Sequence, residues 1–192
     1  MKSTRLILLV LLLGVAICFQ LSANPRPASG PEWQATEKTD SRGATYTQFT
    51  LPGRFVKRPH AEVSAPPSLA VNCEGTKGSR FSRVGFQGAA LRVGANLKID
   101  YVEPDEIRGM SYFPEVEAQY RLDDGKEERE NWNPGQDKTS AFVPKDAIKK
   151  MLRARTVLIT VKEDSAGEVE MQFDMPDATN LGQVCRLPVR KK

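Results

Sequence analysis

Apolar and polar residues alternate with a period of two along much of the chain, which is typical of strands with one buried face. The clearest alternation covers residues 115–122, where Val116, Ala118 and Tyr120 share one face and charged or amide residues occupy the other. One face of such a strand lies in a core and the other meets water, as in an antiparallel sheet. An aspartate-rich turn is predicted directly after it, at residues 123–125.

The most complete local pattern lies at residues 144–185. A helix is predicted from Pro144 through Arg153, because proline suits the first helical position and basic residues crowd the predicted end. After the helix, residues 156–162 are rich in β-branched residues and apolar on both faces, which predicts a central strand. Apolar and polar residues alternate over residues 168–174, which predicts a second strand that forms a hairpin with the first. The helix is expected to lie across the sheet that contains this hairpin.

Shorter segments with strand-like patterns show that the predicted fold is mainly β. A first hairpin is predicted at residues 32–37 and 44–51, and further strands at residues 68–73, 80–86, 96–102 and 139–143. Glycines at positions 85, 88 and 94 predict a bulge or loop, and prolines at positions 52, 59, 66 and 67 predict a loop over residues 51–67. The predicted fold is an antiparallel β-sandwich-like domain with one short helix, at about residues 144–153, packed on a sheet, and a short helical segment near the C-terminus.

The first 23 residues have the form of a secretory signal peptide. Lys2 and Arg5 precede an apolar run of 14 residues, 6–19, which is shorter than the roughly 18 to 20 residues that span a membrane. We expect cleavage after Ala23, a periplasmic or secreted protein, and contact with the membrane only during export. The alternatives are an uncleaved membrane anchor and a lipoprotein acylated at Cys18, although the residue before that cysteine is not small.

Composition predicts one domain after export. Residues 24–31 are typical of a linker, residues 32–186 of a single β-rich domain and residues 187–192 of a basic tail. Loss of Lys2 and Arg5 leaves 26 basic and 24 acidic residues, a net charge of about +2. Because nucleic-acid-binding proteins carry a larger and clustered basic excess, no nucleic-acid partner is expected.

Two cysteines remain after cleavage, Cys73 and Cys185, and export favours a disulfide between them. Alternation places Cys73 on the apolar face of its predicted strand with Leu69 and Val71, so a buried structural sulfur is favoured over an exposed reactive thiol. A bond across this separation of 112 residues stabilises a fold by about 4 to 5 kcal/mol in the chain-entropy description. Two free buried thiols are the alternative.

Residues that carry catalytic or metal chemistry are sparse. His60 is the only histidine and lies in the predicted loop, so an ordinary surface position is expected rather than a catalytic triad. One histidine and two cysteines do not complete a zinc site. The acidic runs at residues 103–106 and 123–130 lack the alternating oxygen ligands of a calcium loop and are expected to be solvated turns. No catalytic residue, metal or cofactor is predicted.

Trp33 and Trp132 are the candidate binding residues. Tryptophan is enriched at binding hot spots, and both residues lie among polar neighbours in the chain. The alternative is that each ring is partly buried and covers a sheet edge.

The order of these features resembles the periplasmic accessory proteins associated with type VI secretion. The resemblance is carried by the strand that opens at Trp33, the segment Ser68-Leu69-Ala70-Val71-Asn72-Cys73, the strand over residues 116–123, Trp132, the helix over residues 147–152, the strand over residues 156–161, residues 172–175 and the terminal Cys185. The chain differs from them in its proline-rich residues 51–67 and in having Arg186 and Leu187, without an aromatic residue, after the last cysteine. The resemblance implies an accessory role in secretion and brings no catalytic residues.

The predicted function is an exported, non-enzymatic binding or accessory protein of the bacterial-type cell envelope, with a protein or another envelope component as its partner. The alternative is a cell-envelope hydrolase that uses acids such as Asp123, Asp124 or Glu130. Glycoside hydrolysis needs two carboxyl groups about 5 to 10 Å apart across a cleft. Facing carboxylates in such a cleft would favour the hydrolase.

Overall fold

The computed structural model describes residues 31–39, 43, 45–60, 62–63, 65–74, 85–102, 113–165 and 167–190. The predicted signal peptide, residues 24–30 of the linker, residues 80–84 of a predicted strand, the acidic run at 103–106 and residues 191–192 of the tail lie outside them. Within the described ranges, no helix has the length and apolar character needed to cross a membrane.

Eleven strands and two short helices make up the described residues. The strands are β1 Gln34–Thr39, β2 Thr45–Pro52, β3 Arg54–Lys57, β4 Ser68–Glu74, β5 Gly85–Arg92, β6 Asp100–Val102, β7 Phe113–Leu122, β8 Glu127–Pro134, β9 Ser140–Val143, β10 Thr156–Lys162 and β11 Glu168–Asp174. The helices are α1 Lys145–Met151 and α2 Thr179–Cys185.

The paired strands are antiparallel and form two sheets. The first sheet has the order β1-β2-β4-β5-β9, and the second has the order β8-β7-β10-β11-β3, with β6 beside the start of β7. The sheets meet at two corners. At one corner Asn133 and Pro134 of β8 pair with β9, and at the other β2 runs through Gly53 into β3. The predicted mainly β, antiparallel, sandwich-like fold is therefore confirmed.

Gly53 permits the second corner because the ring of Phe173 occupies the space beside its Cα. A Cβ atom at position 53 would lie 2.5 Å from Cε1 of Phe173 and 2.9 Å from the carbonyl oxygen of Gln172. The Gly53 N–H also donates a hydrogen bond to the carbonyl oxygen of Pro67, at 2.8 Å. The chain can therefore pass from one sheet to the other only with the smallest residue at this point.

Inward-facing residues of both sheets form one hydrophobic core. Leu69 and Val71 of the first sheet and Ile159 and Met171 of the second sheet are fully buried in the same cluster. The predicted inward faces of β4, β7 and β11 are confirmed, since their alternate apolar residues are buried. The predicted central position of β10 is also confirmed, because it pairs with both β7 and β11.

The helices close the domain beside the first sheet. Helix α1 begins after Pro144, which occupies the N-cap position, and buries Ala147, Ile148 and Met151. Its principal strand contact is β5 of the first sheet, whereas the sequence predicted packing on the sheet that contains the hairpin β10–β11; it contacts that second sheet through the hydrogen bond from Lys150 to Glu128 of β8. Helix α2 contacts β4 and β5 and ends at Arg186, whose φ of 53° is left-handed.

The predicted disulfide is confirmed: Cys73 of β4 is bonded to Cys185 of α2, with a Cα–Cα distance of 5.0 Å. Both cysteines are buried in the core cluster. The bond therefore fixes the C-terminal helix to a central strand of the first sheet.

Several sequence predictions are wrong in their boundaries. Residues 54–57, predicted within a loop, form β3, whose only packing contribution to the core is the partly buried Phe55. Residues 127–130, predicted as a solvated turn, lie in β8, whose acids have partners on neighbouring elements. The strand predicted at residues 96–102 is reduced to β6 and a single bridge between Leu97 and Glu163.

Glycines at the start of β5 have the predicted effect. β5 continues to Arg92, beyond the predicted strand end at residue 86. Its register against β4 shifts between Asn72 and Cys73, which leaves Gln87 as the extra residue of a bulge. This register shift confirms the expected bulge. Gly85, at the start of the strand, has a φ of 132°, which only glycine adopts readily.

Candidate functional site

A groove of about 370 Å³ lies on the outer face of the first sheet. We call it the first-sheet groove and define it by six lining residues from five strands: Lys38, Tyr46, Gln48, Asn72, Arg92 and Phe142. Its volume is within the range of about 300 to 1,000 Å³ that is typical of ligand sites.

Small residues form the floor of the first-sheet groove. Ala70 of β4 pairs with Ala90 of β5, and Ala90 pairs with Phe142 of β9. Their methyl groups leave depth between the larger rings of Tyr46, on β2, and Phe142. β2, β4, β5 and β9 are internal strands, so their backbone groups are already paired on both edges. On these four strands the groove therefore offers side chains to a ligand rather than free backbone groups; β1, which carries Lys38, is an edge strand.

Two amides cross the middle of the groove. Gln48 and Asn72 are directly opposite on neighbouring strands, and Nε2 of Gln48 donates a hydrogen bond to Oδ1 of Asn72 at 2.9 Å. This bond orients both side chains and uses only part of their capacity. Among the described residues no other side-chain bond uses Oε1 of Gln48 or Nδ2 of Asn72, which leaves an acceptor and two donors for a ligand.

Arg92 lies at the end of the groove beside a turn that Asp137 organises. Oδ1 of Asp137 accepts hydrogen bonds from Oγ of Ser140, at 2.8 Å, and from the N–H of Thr139, at 3.1 Å. Burial by itself raises the pKa of Asp137, but these hydrogen bonds and the charge of Arg92 outweigh it and hold the pKa below its usual value. Asp137 is therefore a structural carboxylate of this turn.

The groove continues past Arg92. A second cavity of about 260 Å³ shares Arg92 and Asp137 with the first and is also lined by Ser68 and Gly94. Arg92 consequently stands between two adjoining cavities, where its guanidinium can contact a ligand that occupies either.

Phe142 is the most exposed large hydrophobic residue of the described chain, with 54% of its surface accessible. Its neighbours Ala141 and Val143 are buried, so the ring points away from the core. An exposed phenylalanine beside polar groups in a concave surface is the kind of position at which ligand contacts are found.

The tryptophans do not provide this surface. Trp132 is only 1% exposed, and its ring packs 6.2 Å from the ring centre of Tyr120. Trp33 is half-buried against the core, and its buried Nε1 has no hydrogen-bond partner. The ring of Trp132 is therefore buried, as in the alternative interpretation, and does not form an exposed binding patch. A binding role for Trp33 stays a prediction.

Another concave surface, of about 570 Å³, lies on the outer face of the second sheet. Asp123 and Asp124 line it together with Arg121 and Arg155. Oδ1 of Asp123 accepts the N–H groups of Arg155 and Thr156, at 2.7 and 2.9 Å, so this carboxylate joins the β7–β8 turn to the start of β10. Asp123 therefore has a structural function.

Glu130 does not line the cavity that contains Asp123 and Asp124. Its Oε1 lies 2.7 Å from the hydroxyl of Tyr120, and Oε2 of Glu128 lies 2.9 Å from the same hydroxyl. Burial, followed by these two hydrogen bonds, raises the pKa of Tyr120 well above its usual value. The Lys150 ammonium, which also bonds to Glu128, holds the pKa of that carboxyl below its usual value. This cluster links α1 to the second sheet.

His60 is held by a buried acid. Its Nδ1 lies 3.0 Å from Oε1 of Glu163, and its backbone N–H donates to both oxygens of the same carboxylate, at 2.9 and 3.1 Å. Ser165 donates to Glu163 rather than to the imidazole, so the three side chains do not form a serine–histidine–acid relay. The exposed loop position expected for His60 agrees with its side-chain exposure of 67%.

Within the part of the chain that the structure describes, no group of three or more histidine, cysteine or acidic side chains is placed to hold a metal ion. The chain matches no protein-family model, no curated protein and no solved structure. The proposed function therefore rests on the geometry of the chain itself.

Proposed function

We propose that the protein is an exported, non-enzymatic binding or accessory protein of the bacterial-type cell envelope, and that it binds its partner through the first-sheet groove. The observation that carries the proposal is the exposed ring of Phe142 in a groove that also contains the Gln48–Asn72 amide pair. An apolar surface beside a few oriented polar groups is the usual composition of a binding site.

The Cys73–Cys185 bond supports the exported location, because disulfides persist in oxidising compartments such as the periplasm. The test is to fractionate cells and to measure the intact mass of the mature protein. Loss of residues 1–23, without a lipid on Cys18, is the expected result. A cytoplasmic protein that retains these residues would contradict the exported location.

Binding is tested with the purified protein and an insoluble cell-envelope fraction. Ala90→Trp fills the floor of the groove with a side chain that points away from the core, and we expect it to abolish most co-sedimentation. Thr160→Trp adds the same side chain to the outer face of the second sheet and is the matched control. If both variants sediment as the wild type does, the groove is not the binding site.

The resemblance to accessory proteins of type VI secretion gives a narrower form of the proposal, in which the partner belongs to a secretion apparatus. Co-purification of the wild type with components of such an apparatus, and its loss in Ala90→Trp, would support this form. Genes for such an apparatus next to this gene would support it independently.

The hydrolase alternative rests on the concave surface that Asp123 and Asp124 line. Asp124 is the acid to test, because Asp123 is occupied by two backbone N–H groups. Release of soluble fragments from the envelope fraction by the wild type, and its loss in Asp124→Asn, would favour a hydrolase over a binding protein.

A further inference from the structure

The chemistry of the first-sheet groove indicates which class of ligand it takes, and this step rests on the proposed binding function. A peptide that joins a sheet usually pairs with the backbone of an edge strand. Four of the five strands that line the groove are internal and have their backbone groups already paired, so a peptide could gain such bonds only along the edge strand β1, where Lys38 lies. Over the rest of the groove a ligand must be recognised by rings, amides and cations.

The two rings suit a ligand that has apolar faces. Tyr46 and Phe142 belong to β2 and β9, which are three strand spacings, or about 14 Å, apart across the sheet. The register puts Thr50, not Tyr46, in line with Phe142, so the two rings lie diagonally across the groove, four residues apart along the strands. Pyranose rings present C–H groups on one face, which pack against aromatic rings, and carry hydroxyls around their edge. Rings at both ends of a groove with an alanine floor therefore suit a chain of several sugars rather than a single one.

The amides between the rings suit the hydroxyls of such a chain. Each hydroxyl is both a donor and an acceptor, and so is each side-chain amide. The Gln48–Asn72 hydrogen bond fixes both amides before a ligand arrives. Less conformational entropy is then lost when the ligand binds.

The charges of the groove favour an acidic ligand. Lys38 and Arg92 line the groove with one acid, Asp137, and no ion pair joins either cation to a carboxylate of the described residues. By contrast, Lys162 on the outer face of the second sheet is paired with Glu117. The charge of Arg92 acts on the Asp137 carboxylate, but no ion pair joins the two, so the guanidinium can bind a ligand carboxylate through two parallel hydrogen bonds.

We propose that the first-sheet groove binds an extended oligosaccharide that carries carboxylates. Tyr46 and Phe142 pack on sugar faces, Gln48 and Asn72 bond to hydroxyls, and Arg92 binds a carboxylate. The adjoining cavity beyond Arg92 accommodates the continuation of the chain.

The test is calorimetric titration of the mature protein with two probes, a mannuronate hexamer and soluble peptidoglycan glycan strands. Each probe is compared with the same material after reduction of its carboxylates to alcohols. We expect binding of at least one acidic probe, and a loss of tenfold or more in affinity for Phe142→Ala and for Arg92→Gln. Arg121→Gln, on the outer face of the second sheet, is the matched control and should bind as the wild type does.

The reduced probe tests the role assigned to Arg92. Carboxylate reduction should weaken binding to the wild type by about the same factor as Arg92→Gln, and should have no further effect on that variant. Equal affinity of the wild type for acidic and reduced probes would overturn the carboxylate assignment.

Failure of this inference is distinguishable from failure of the proposed function. If no probe binds with a Kd below about 1 mM while Ala90→Trp still abolishes envelope binding, the groove binds a ligand that is not an acidic glycan, and the inference is wrong. If Ala90→Trp leaves envelope binding intact, the assignment of the groove itself is wrong.

Discussion

At the scale of single residues, two glycines differ sharply in what surrounds them. A Cβ atom on Gly53 would lie 2.5 Å from the ring of Phe173, whereas nothing lies within 4 Å of a Cβ atom on Gly88. Gly53 therefore permits a close approach between the corner and the core. Gly88 faces open space on the outer side of β5, opposite Asn72.

Gly53→Ala is expected to lower the free energy of unfolding by about 2 to 3 kcal/mol, because Phe173 or the backbone must move to admit the methyl group. Urea denaturation measures this loss. Gly88→Ala is the matched control and should leave stability unchanged or slightly raised, since alanine reduces the entropy of the unfolded chain. Equal effects of the two substitutions would contradict the role given to Gly53.

The Glu117–Lys162 pair makes a pH-dependent contribution to stability. The hydrogen bond from Lys162 is the main reason that the pKa of Glu117 lies below its ordinary value of 4.5. A carboxyl group with a lowered pKa in the folded state stabilises the fold above its unfolded pKa, and this contribution is lost as the pH falls through the folded value. The contribution is therefore complete at neutral pH and decreases progressively as the pH falls below about 4.5.

Glu117→Gln should lower the unfolding free energy by up to about 1 kcal/mol at pH 7, a small loss because 31% and 40% of the two side chains are exposed, and by less at pH 3. Urea denaturation at both pH values measures the difference. In a Lys162→Met background the substitution should have little effect at either pH. A loss at pH 7 that persists in this background would show that Lys162 is not the cause.

At the scale of elements, sequence patterns predicted strands whose alternate residues enter the core. Alternation identified β4, β7 and β11 because each has one apolar face, whereas β10 was identified by β-branched residues that are apolar on both faces. β8 was missed because Glu128 and Glu130 stand on the same face as its buried Trp132, a pattern that predicts a solvated segment. Their Tyr120 and Lys150 partners come from other elements, so the sequence gives no sign that these acids are paired.

The first-sheet groove could not be predicted from the sequence either, because it too depends on residues that are distant in the chain. Its residues come from five strands, and only the register of those strands brings them together. The one local signal was Phe142, which breaks the expected alternation between the buried Ala141 and Val143. A large ring at an outward position is a more direct sign of an exposed aromatic surface than Trp132, whose ring is buried.

The disulfide fixes α2, an element of only seven residues, to β4. Replacement of both cysteines by alanine should lower the unfolding free energy by about 3 to 5 kcal/mol, because the bond closes a loop across 112 residues of the unfolded chain. Urea denaturation of the oxidised protein and the double variant measures this loss. Cys185→Ala alone should reproduce most of it, and an unchanged midpoint in both variants would contradict a stabilising bond.

At the scale of the whole molecule, two corners and one core join the sheets. Residues Pro31–Lys192 cluster as one compact unit, and buried residues of both sheets belong to the same hydrophobic cluster. The outer faces remain free of the core, which explains why a groove can be lined by polar and aromatic side chains without loss of packing. In the proposed function, recognition and stability therefore depend on opposite faces of the same strands.

Because the sheets share a core, they should unfold together. Trp33 precedes β1 of the first sheet and Trp132 lies in β8 of the second, so Trp33→Phe and Trp132→Phe each leave one fluorescent reporter on one sheet. In urea, the fluorescence midpoint of each variant should coincide with the midpoint of its own circular dichroism signal, as expected for two-state unfolding. Comparison within each variant removes any difference in stability between them. A fluorescence transition that precedes the loss of strand signal in either variant would show that one sheet opens before the other, contrary to a single core that holds both.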